Sequence, residues 1–318
     1  MPKYSFIIPV YNRPDEVEEL LKSLTNQQFS DFEVVIIEDG STETCQSVVD
    51  QYRDKLRLEY TVQSNSGPSI ARNNGAVRAH GEFIIFLDSD VIVPPQYLAV
   101  VDRAVGERGL QCFGGPDASH PSFTPIQKAI SHSMTSVLTT GGIRGKKENM
   151  DKFYPRSFNM GISAATFRQV GGFSDMRFGE DVDFSMRLME SGFRAGLVKE
   201  AFVYHKRRTT FKSFFKQVYN SGIARINLEK RHPGTMKMVH MLPAFFLLGN
   251  IALLIVSAFW HYAAFLILVP AMAFFIDALF QTKELRVALL AVPASYVQLC
   301  GYGAGFCDCF WNRKIWKG

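Results

Sequence analysis

Apolar and polar positions along the first ninety residues switch between a strand period and a helix period. Tyr4–Val10 (YSFIIPV) is a short β-rich apolar run, and residues 15–26 then place Val17, Leu20, Leu21 and Leu24 on one helical face. A strand followed by a helix is predicted. Residues 32–37 (FEVVII) repeat the buried-strand signal, 44–52 can form a helix, and 56–62 alternate like a third strand. Pro68 suits the first turn of a helix that runs to His80 and is stopped by Gly81, and Phe83–Leu87 (FIIFL) is a fourth buried strand. Strands alternating with helices at this spacing predict an α/β domain with a doubly wound, Rossmann-like, mainly parallel sheet. Its ligands should sit at the carboxyl ends of the strands. Polar residues recur at that edge: Tyr11, Asn12 and Arg13 after the first strand, Glu38, Asp39, Gly40 and Ser41 after the second, and Asp88, Ser89 and Asp90 after the fourth.

The pattern changes near residue 238. Only 8 of the 65 Asp, Glu, Lys and Arg residues lie beyond it, although apolar residues make up 47% and charged residues 20% of the whole. This composition argues against disorder, collagen-like repeats and a coiled-coil rod. Residues 239–276 form a run of 38 without a charged side chain, long enough for two passes of a membrane hinged near Trp260, His261 and Tyr262. Residues 287–307 add 21 more, interrupted by Pro293, Gly301, Gly303 and Gly305, and read as a third span or a re-entrant hairpin, the basic tail (Arg313, Lys314, Lys317) favouring the hairpin. Upstream, Phe211, Phe214, Phe215, Val218, Tyr219, Ile223 and Ile226 recur at helical spacing among Lys212, Lys216, Arg225 and Lys230. Such a basic amphipathic helix suits an anionic membrane surface better than ordinary packing against the sheet. The expected organisation is a catalytic domain over 1–210, an interfacial helix and linker over 211–238, and a membrane region over 239–318.

Tyr4–Val10 is too short for a signal core and runs directly into polar residues, so the soluble part is expected to stay on the cytoplasmic side of the membrane. The net charge of +5 is spread too evenly to suggest nucleic acid. Five scattered cysteines lack zinc-site spacing and read as reduced thiols, Cys307 and Cys309 as packing residues rather than lipidation sites.

No Gly-x-Gly-x-x-Gly follows the first strand and no P-loop is present, which argues against a dinucleotide dehydrogenase and a P-loop hydrolase. Asp88-Ser89-Asp90 ends an apolar strand and offers hard oxygen ligands of the kind that hold Mg²⁺ or Mn²⁺ against a diphosphate. An Asp-rich turn capping the next helix explains the triplet equally well. Gly179-Glu180-Asp181-Val182-Asp183 precedes a helical stretch, where acidic residues are favoured by the helix dipole. The glycine-rich segments Asn159-Met160-Gly161 and Gly171-Gly172-Phe173 around it suit a site that needs close backbone approach. Asp39 suits a turn. Arg72 can pair with phosphate or with one of the carboxylates, and both remain open. His205, beside Lys206, Arg207 and Arg208, reads on its own as structural.

These pieces together resemble the inverting family 2 glycosyltransferases of the GT-A fold. The matching segments are FIIPVYNR at 6–13, EDGS at 38–41, GPSIARNNG at 67–75, FLDSD at 86–90, FNMGISAATFRQVGGF at 158–173 and GEDVDFSMRL at 179–188, in the family's order. The resemblance implies that Pro9, Val10, Tyr11 and Asp39, with Arg72, Asn73, Asp88 and Ser89, line the nucleotide-sugar pocket. It implies that Asp88 and Asp90 form the family's Asp-x-Asp, Asp90 being the direct ligand of Mn²⁺ or Mg²⁺, and that His205 completes the metal site. Asp181 matches the catalytic base, and Asn159, Met160, Gly161 and Glu180 are implied to face the acceptor. The chemistry fits: a divalent cation stabilises the departing diphosphate, and a carboxylate takes the acceptor's proton for a single displacement with inversion. The processive pattern Gln-x-x-Arg-Trp is absent, the nearest segment being Gln217-Val218-Tyr219-Asn220-Ser221, so one sugar per encounter is expected. A membrane-anchored relative of this kind is implied to act on a lipid-linked or glycan acceptor in cell-surface polysaccharide synthesis. A nucleotidyltransferase and a noncatalytic assembly subunit are the rival readings.

Overall fold

In the computed structural model, residues 1–140, 153–193 and 195–315 are described, side chains from 313 onward excepted. The chain forms two compact units, Met1–His120 with Asp151–His205, and Pro121–Met150 with Lys206–Gly318. The first unit therefore ends before 210, and the stretch after His120 groups with the C-terminal helices instead of the sheet.

In the first unit the elements run β1 (Tyr4–Val10), α1 (Pro14–Leu24), β2 (Phe32–Asp39), α2 (Gln46–Tyr52), β3 (Leu58–Gln63), α3 (Pro68–Arg78), β4 (Phe83–Leu87), β5 (Val91–Ile92), α4 (Tyr97–Arg108), β6 (Cys112–Gly114) and β7 (Asp117–Ala118). The second unit contributes α5 (Pro125–Thr135) and α6 (Val137–Thr140), after which the first resumes with β8 (Asn159–Ser163), α7 (Ala164–Val170), α8 (Glu180–Glu190), β9 (Ala195–Leu197) and β10 (Val203–His205). Seven strands form one sheet in the order β3-β2-β1-β4-β8-β6-β9. The first four are mutually parallel, and β8 runs antiparallel between β4 and β6, which makes the sheet mixed. A second sheet has the order β5-β10-β7.

Alternate residues of the long sheet feed two cores, as the strand period requires. Phe6, Ile8, Val34 and Ile36 pack with Leu20, Leu21 and Leu24 of α1, Val49 of α2 and Leu98 of α4. Ile7, Val35, Ile84, Phe86, Met160 and Ile162 pack on the other face with Ala71 of α3, Phe167 of α7 and Phe184 and Leu188 of α8. Each buried side chain of this size stabilises the fold by roughly 1.5–3 kcal/mol relative to exposure. Helices thus cover both faces of the sheet, which leaves its carboxyl edge open to ligands.

The second unit continues with α9 (Phe211–Arg231), α10 (Leu242–Ser257), α11 (Phe265–Thr282) and α12 (Leu285–Ile315). Two helical stretches, His261–Thr282 and Leu285–Asn312, are long and apolar enough to cross a membrane, whereas Leu242–Ser257 has 16 residues, short of the roughly 20 that a span needs. The break between α10 and α11 falls at Trp260–Tyr262, where the sequence placed its hinge. Residues 287–307 depart from the hairpin reading. They lie within the single helix α12, with Pro293 inside it. The glycines that looked like interruptions are close-packing positions. A Cβ on Gly305 would lie 2.0 Å from the Tyr219 carbonyl oxygen of α9, and one on Gly303 would lie 2.4 Å from the Pro243 carbonyl oxygen of α10. Small residues at such crossings let helix backbones approach, as in membrane bundles. Of the basic tail, the side chains of Arg313 and Lys314 and the whole of Lys317 lie outside the described residues. The apolar face of α9 is also covered by protein: Phe214 and Val218 pack against Ile130 and Met134 of α5 and Ala294 of α12. Helical spacing shows amphipathicity and not its partner, which among the described residues is protein where an anionic membrane surface was expected.

Candidate active site

The site grows from the end of β4. Asp88, Ser89 and Asp90 leave that buried strand half-buried, and the chain re-enters β structure at once in β5. β5 pairs antiparallel with β10 in a register that sets His205 opposite Val91. This pairing carries His205 back beside the aspartates, 115 positions upstream. His205 Nε2 lies 3.1 Å from Asp90 Oδ1 and 4.0 Å from Asp88 Oδ2, and its ring stacks on Phe158 at 4.9 Å. One ligand atom from each of Asp88, Asp90 and His205 falls within 4.8 Å of the others. Two carboxylates and an imidazole nitrogen at that separation form a donor set that fits Mn²⁺ or Mg²⁺, the imidazole favouring Mn²⁺.

The second acidic cluster opens α8. Gly179 caps that helix in the left-handed region at φ 83°, where glycine is favoured, so that Glu180 and Asp181 occupy the first turn. α3 supplies the link between the clusters. It lies so close to β1 that a Cβ on Gly75 would sit 2.4 Å from Ile7 Cγ2. Arg72, one turn earlier on α3, donates from Nη2 to Asp88 Oδ1 at 2.7 Å and from Nη1 to Glu180 Oε1 at 3.0 Å. Its side chain is 5% exposed and lies over the Phe173 ring. One guanidinium therefore joins the Asp-x-Asp strand end to the α8 acidic turn. The alternatives left open for Arg72 resolve here in favour of the carboxylates. Both of its Nη groups are engaged by them.

Asp181 is buried, receives the Val182 N–H on Oδ1 at 2.8 Å, and receives Arg156 Nε on Oδ2 at 2.6 Å. Burial raises its pKa, but the Arg156 charge and hydrogen bond, helped by Arg72, outweigh burial and hold the carboxyl below its ordinary value. Glu180 moves the opposite way. Burial, and then the neighbouring Asp181 charge, lift it above its ordinary value in spite of Arg72. Two adjacent carboxyls are thus driven apart in acidity, one kept ionised and one made easier to protonate. Asp183, the third acidic residue of the motif, faces inward, accepting from Ser174 Oγ at 2.8 Å and Arg187 Nε at 2.9 Å.

The remaining expected residues divide. Asp39 is buried at the end of β2 and holds the start of α3, accepting from Gln63 Nε2 at 2.7 Å and from the Ser66 and Gly67 N–H groups at 2.8 Å. Tyr11 is 51% exposed just past the end of β1, whereas the Val10 side chain belongs to the core and Pro9 is partly buried. Asn73 spends both ends of its amide on the Phe173 backbone, at 2.8 and 2.9 Å, and so braces a turn. Asn159, Met160 and Gly161, expected to face the acceptor, are engaged in the packing of the sheet. All three lie inside β8, with Asn159 held between Tyr97 Oη and the Ala201 carbonyl and Met160 in the core. A Cβ on Gly161 would meet the Phe113 ring at 2.0 Å. Gly161 is therefore a cross-strand packing position. Arg156 lies outside every motif, whereas Phe158 and Asn12 stand inside the segments FNMGISAATFRQVGGF and FIIPVYNR without an assigned role. Asn12, at φ 54°, clasps the β2 loop by accepting from the Thr42 and Glu43 N–H groups at 2.8 and 3.0 Å. Its neighbourhood to EDGS was the available hint.

A mixed, doubly wound sheet with an Asp-x-Asp at the end of its fourth strand and a second acidic turn joined to it through one arginine defines the GT-A class of fold. Residues 5–170, just over half the chain, match the glycosyl transferase family 2 profile, and the chain belongs to that family. It is similar to validoxylamine A glucosyltransferase of Streptomyces hygroscopicus subsp. jinggangensis, 30% identical over 231 residues that cover 63% of this chain and 54% of the relative. A second relative is the Campylobacter jejuni GalNAc(5)-diNAcBac-PP-undecaprenol beta-1,3-glucosyltransferase, 41% identical over 117 residues, covering 36% of this chain and 38% of that one. The chain spans about half the length of the first curated relatives it matches. Among solved structures, the Pyrobaculum calidifontis mannosyltransferase PcManGT in complex with GDP-Man and Mn²⁺ superposes with a TM-score of 0.69 at 16% identity, covering 98% of this chain and 88% of that chain. The S. aureus TarS 1-349 complex with UDP-GlcNAc gives 0.52 at 20% identity, covering 98% and 92%. At these identities the likeness is one of fold.

Proposed function

We infer that this chain transfers one sugar from a nucleotide-sugar to an acceptor hydroxyl with inversion at the anomeric carbon. The observation that carries this reading is the Arg72 bridge, which ties Asp88 of the metal-type cluster to Glu180, the neighbour of Asp181. A leaving-group side and a proton-acceptor side thereby face one site.

In this reading Asp88, Asp90 and His205 would hold a divalent cation, whose charge would stabilise the departing diphosphate. The Asp181 carboxylate takes the proton of the acceptor hydroxyl. The freed oxygen forms its bond to the anomeric carbon on one face while the carbon–oxygen bond to the diphosphate breaks on the other, the electron pair leaving with the nucleoside diphosphate. Asp181 suits the role because its carboxyl stays ionised at neutral pH. Tyr11, exposed beside Asp39 at the strand edge, offers a ring to the donor's base. The two long apolar helices and the lipid-linked substrate in the Campylobacter relative's name support a membrane-anchored enzyme with a lipid-linked acceptor at the cytoplasmic face. The absence of Gln-x-x-Arg-Trp supports single transfer; the nearest segment starts at Gln217, inside α9.

The test is a panel of UDP- and GDP-sugars, with and without Mn²⁺, incubated with the detergent-solubilised full chain and polyprenyl-diphosphate-linked glycans. The reading expects a metal-dependent single addition with inverted configuration by NMR. Retained configuration, polymer from one donor, or diphosphate released from a nucleoside triphosphate would each overturn it.

A further inference from the structure

Among the described residues, Arg72, Arg156 and Arg187 pair with Asp88 and the Glu180–Asp183 acidic turn, and they are built differently. Arg187 is fully engaged, with bonds to Asp183 and to the Val170 and Gly172 carbonyls. Arg72 divides its fork between Asp88 and Glu180 and is 5% exposed. Arg156 makes a single contact, Nε to Asp181, and its side chain is 42% exposed. Among the described residues neither of its Nη groups has a partner, so the outward edge of a planar fork is presented to solvent beside the proposed base. A guanidinium serving only to neutralise a buried carboxylate would be expected to present two nitrogens to it, as the bidentate geometry allows. Instead one nitrogen holds the base and two are left for something else.

We propose that Arg156 recognises a phosphate on the acceptor, and that engaging this phosphate draws its Nε off Asp181 as the acceptor hydroxyl arrives. This rests on the transferase reading above and names its acceptor class: a hydroxyl compound with a phosphate or diphosphate within about one sugar ring of the attacked oxygen. Guanidinium and phosphate match in a two-point arrangement that an ammonium or a neutral sugar does not offer. The same contact explains why the base is capped by a cation in the ligand-free state. The Asp181 oxygen that would take the proton is occupied until a ligand with the right charge competes for Arg156. Arg156 thus both binds substrate and positions the base. A neutral acceptor gives Arg156 nothing to exchange for Asp181.

The experiment measures binding by calorimetry on the full chain in detergent, with UDP, GDP and Mn²⁺ present to occupy the donor side. The titrants are hexyl phosphate, inorganic phosphate and hexyl glucoside. The wild-type chain should bind hexyl phosphate at least roughly tenfold more tightly than hexyl glucoside, the scale of one charge-assisted bond. Arg156→Gln should erase that preference, and Arg156→Lys should restore it only in part. Asp181→Asn should tighten hexyl phosphate severalfold, because it frees the arginine and removes a negative charge; a merely structural ion pair predicts no such gain. Hexyl phosphate bound above inorganic phosphate assigns an esterified group, and equal binding assigns a free oxyanion, which overturns the acceptor assignment. An unchanged preference in Arg156→Gln, or weaker binding in Asp181→Asn with nucleotide binding intact, also overturns it. Failure of the transferase reading is scored separately, as no turnover of any nucleotide-sugar by the wild-type chain.

Discussion

Replacing Asp181 by Asn separates the cost of losing a base from the cost of losing a fold. Asn keeps the shape of Asp and leaves one oxygen to accept the Val182 N–H that now binds at 2.8 Å. What disappears is the charge facing Arg156. Because that arginine is 42% exposed, solvent screens most of the attraction, and the stability lost should stay within roughly 1 kcal/mol. Turnover should fall by about 10²- to 10⁴-fold, the usual worth of general-base catalysis. The assay therefore pairs a rate with a melt: kcat for sugar transfer, and the thermal midpoint with and without nucleotide and Mn²⁺. The expected signature is a small change in midpoint, preserved stabilisation by nucleotide, and a rate loss of at least a hundredfold. Turnover within a few fold of wild type in a folded, nucleotide-binding variant would refute Asp181 as the base.

The acid limb of kcat/KM should lie below the ordinary carboxylate range, since Arg156 helps hold Asp181 down; activity is present above that folded-state value and is lost as pH falls through it, and Arg156→Gln should move the limb to higher pH. Gly161→Ala should cost about 1–3 kcal/mol of stability by forcing a methyl into the Phe113 ring, while activity per folded molecule, measured after active-site titration, stays near wild type; a selective loss of acceptor affinity would instead assign Gly161 to the acceptor. If Asp88, Asp90 and His205 hold Mn²⁺, saturating the chain at about 100 times Kd should stabilise it by about 2.7 kcal/mol. His205→Ala should weaken Mn²⁺ by more than the roughly 10- to 100-fold that a merely supporting partner costs, read from a shift in the Mn²⁺ titration midpoint. Gly305→Leu should separate α9 from α12 and abolish cooperative melting of the second unit, because the space a Cβ would need already holds the Tyr219 backbone.

The first four strands and their helices were legible because each buried strand is a continuous apolar run and each helix shows its own stripe; Val17, Leu20, Leu21 and Leu24 are all at most 1% exposed. The convergence of the two aspartates with His205 was legible only through resemblance. It depends on the short β5–β10 pairing, and strands of two and three residues carry no period to read. The packing of Asn159, Met160 and Gly161 was not legible for a related reason: a glycine that fills the gap opposite Phe113 and a glycine that lets a ligand approach look alike in a sequence. Of the two readings of residues 287–307, the span agrees with the single helix and the hairpin does not: proline and glycine break helices in water, whereas α12 keeps its course where neighbouring helices fill the space that the missing side chains leave.

The arrangement of charge carries one further step. Asp88 and Glu180 are 32% and 12% exposed at the side chain, and they come from segments nearly a hundred residues apart. Brought together without a cation they would repel, and the sheet edge would have to spread or take up protons. Arg72 removes that conflict by bonding to both at once, so the acidic walls of the site are in place before any ligand arrives. It does so from α3, which Gly75 seats against β1, and its own position is fixed by the core rather than by substrate. Arg156, in contrast, offsets Asp181 from a half-exposed position with only one bond. A permanent cation therefore builds the site and a displaceable one guards the base. This division makes the two arginines opposite in their expected variants: loss of Arg72 should damage folding and catalysis together, and loss of Arg156 should spare the fold and alter which acceptors are accepted.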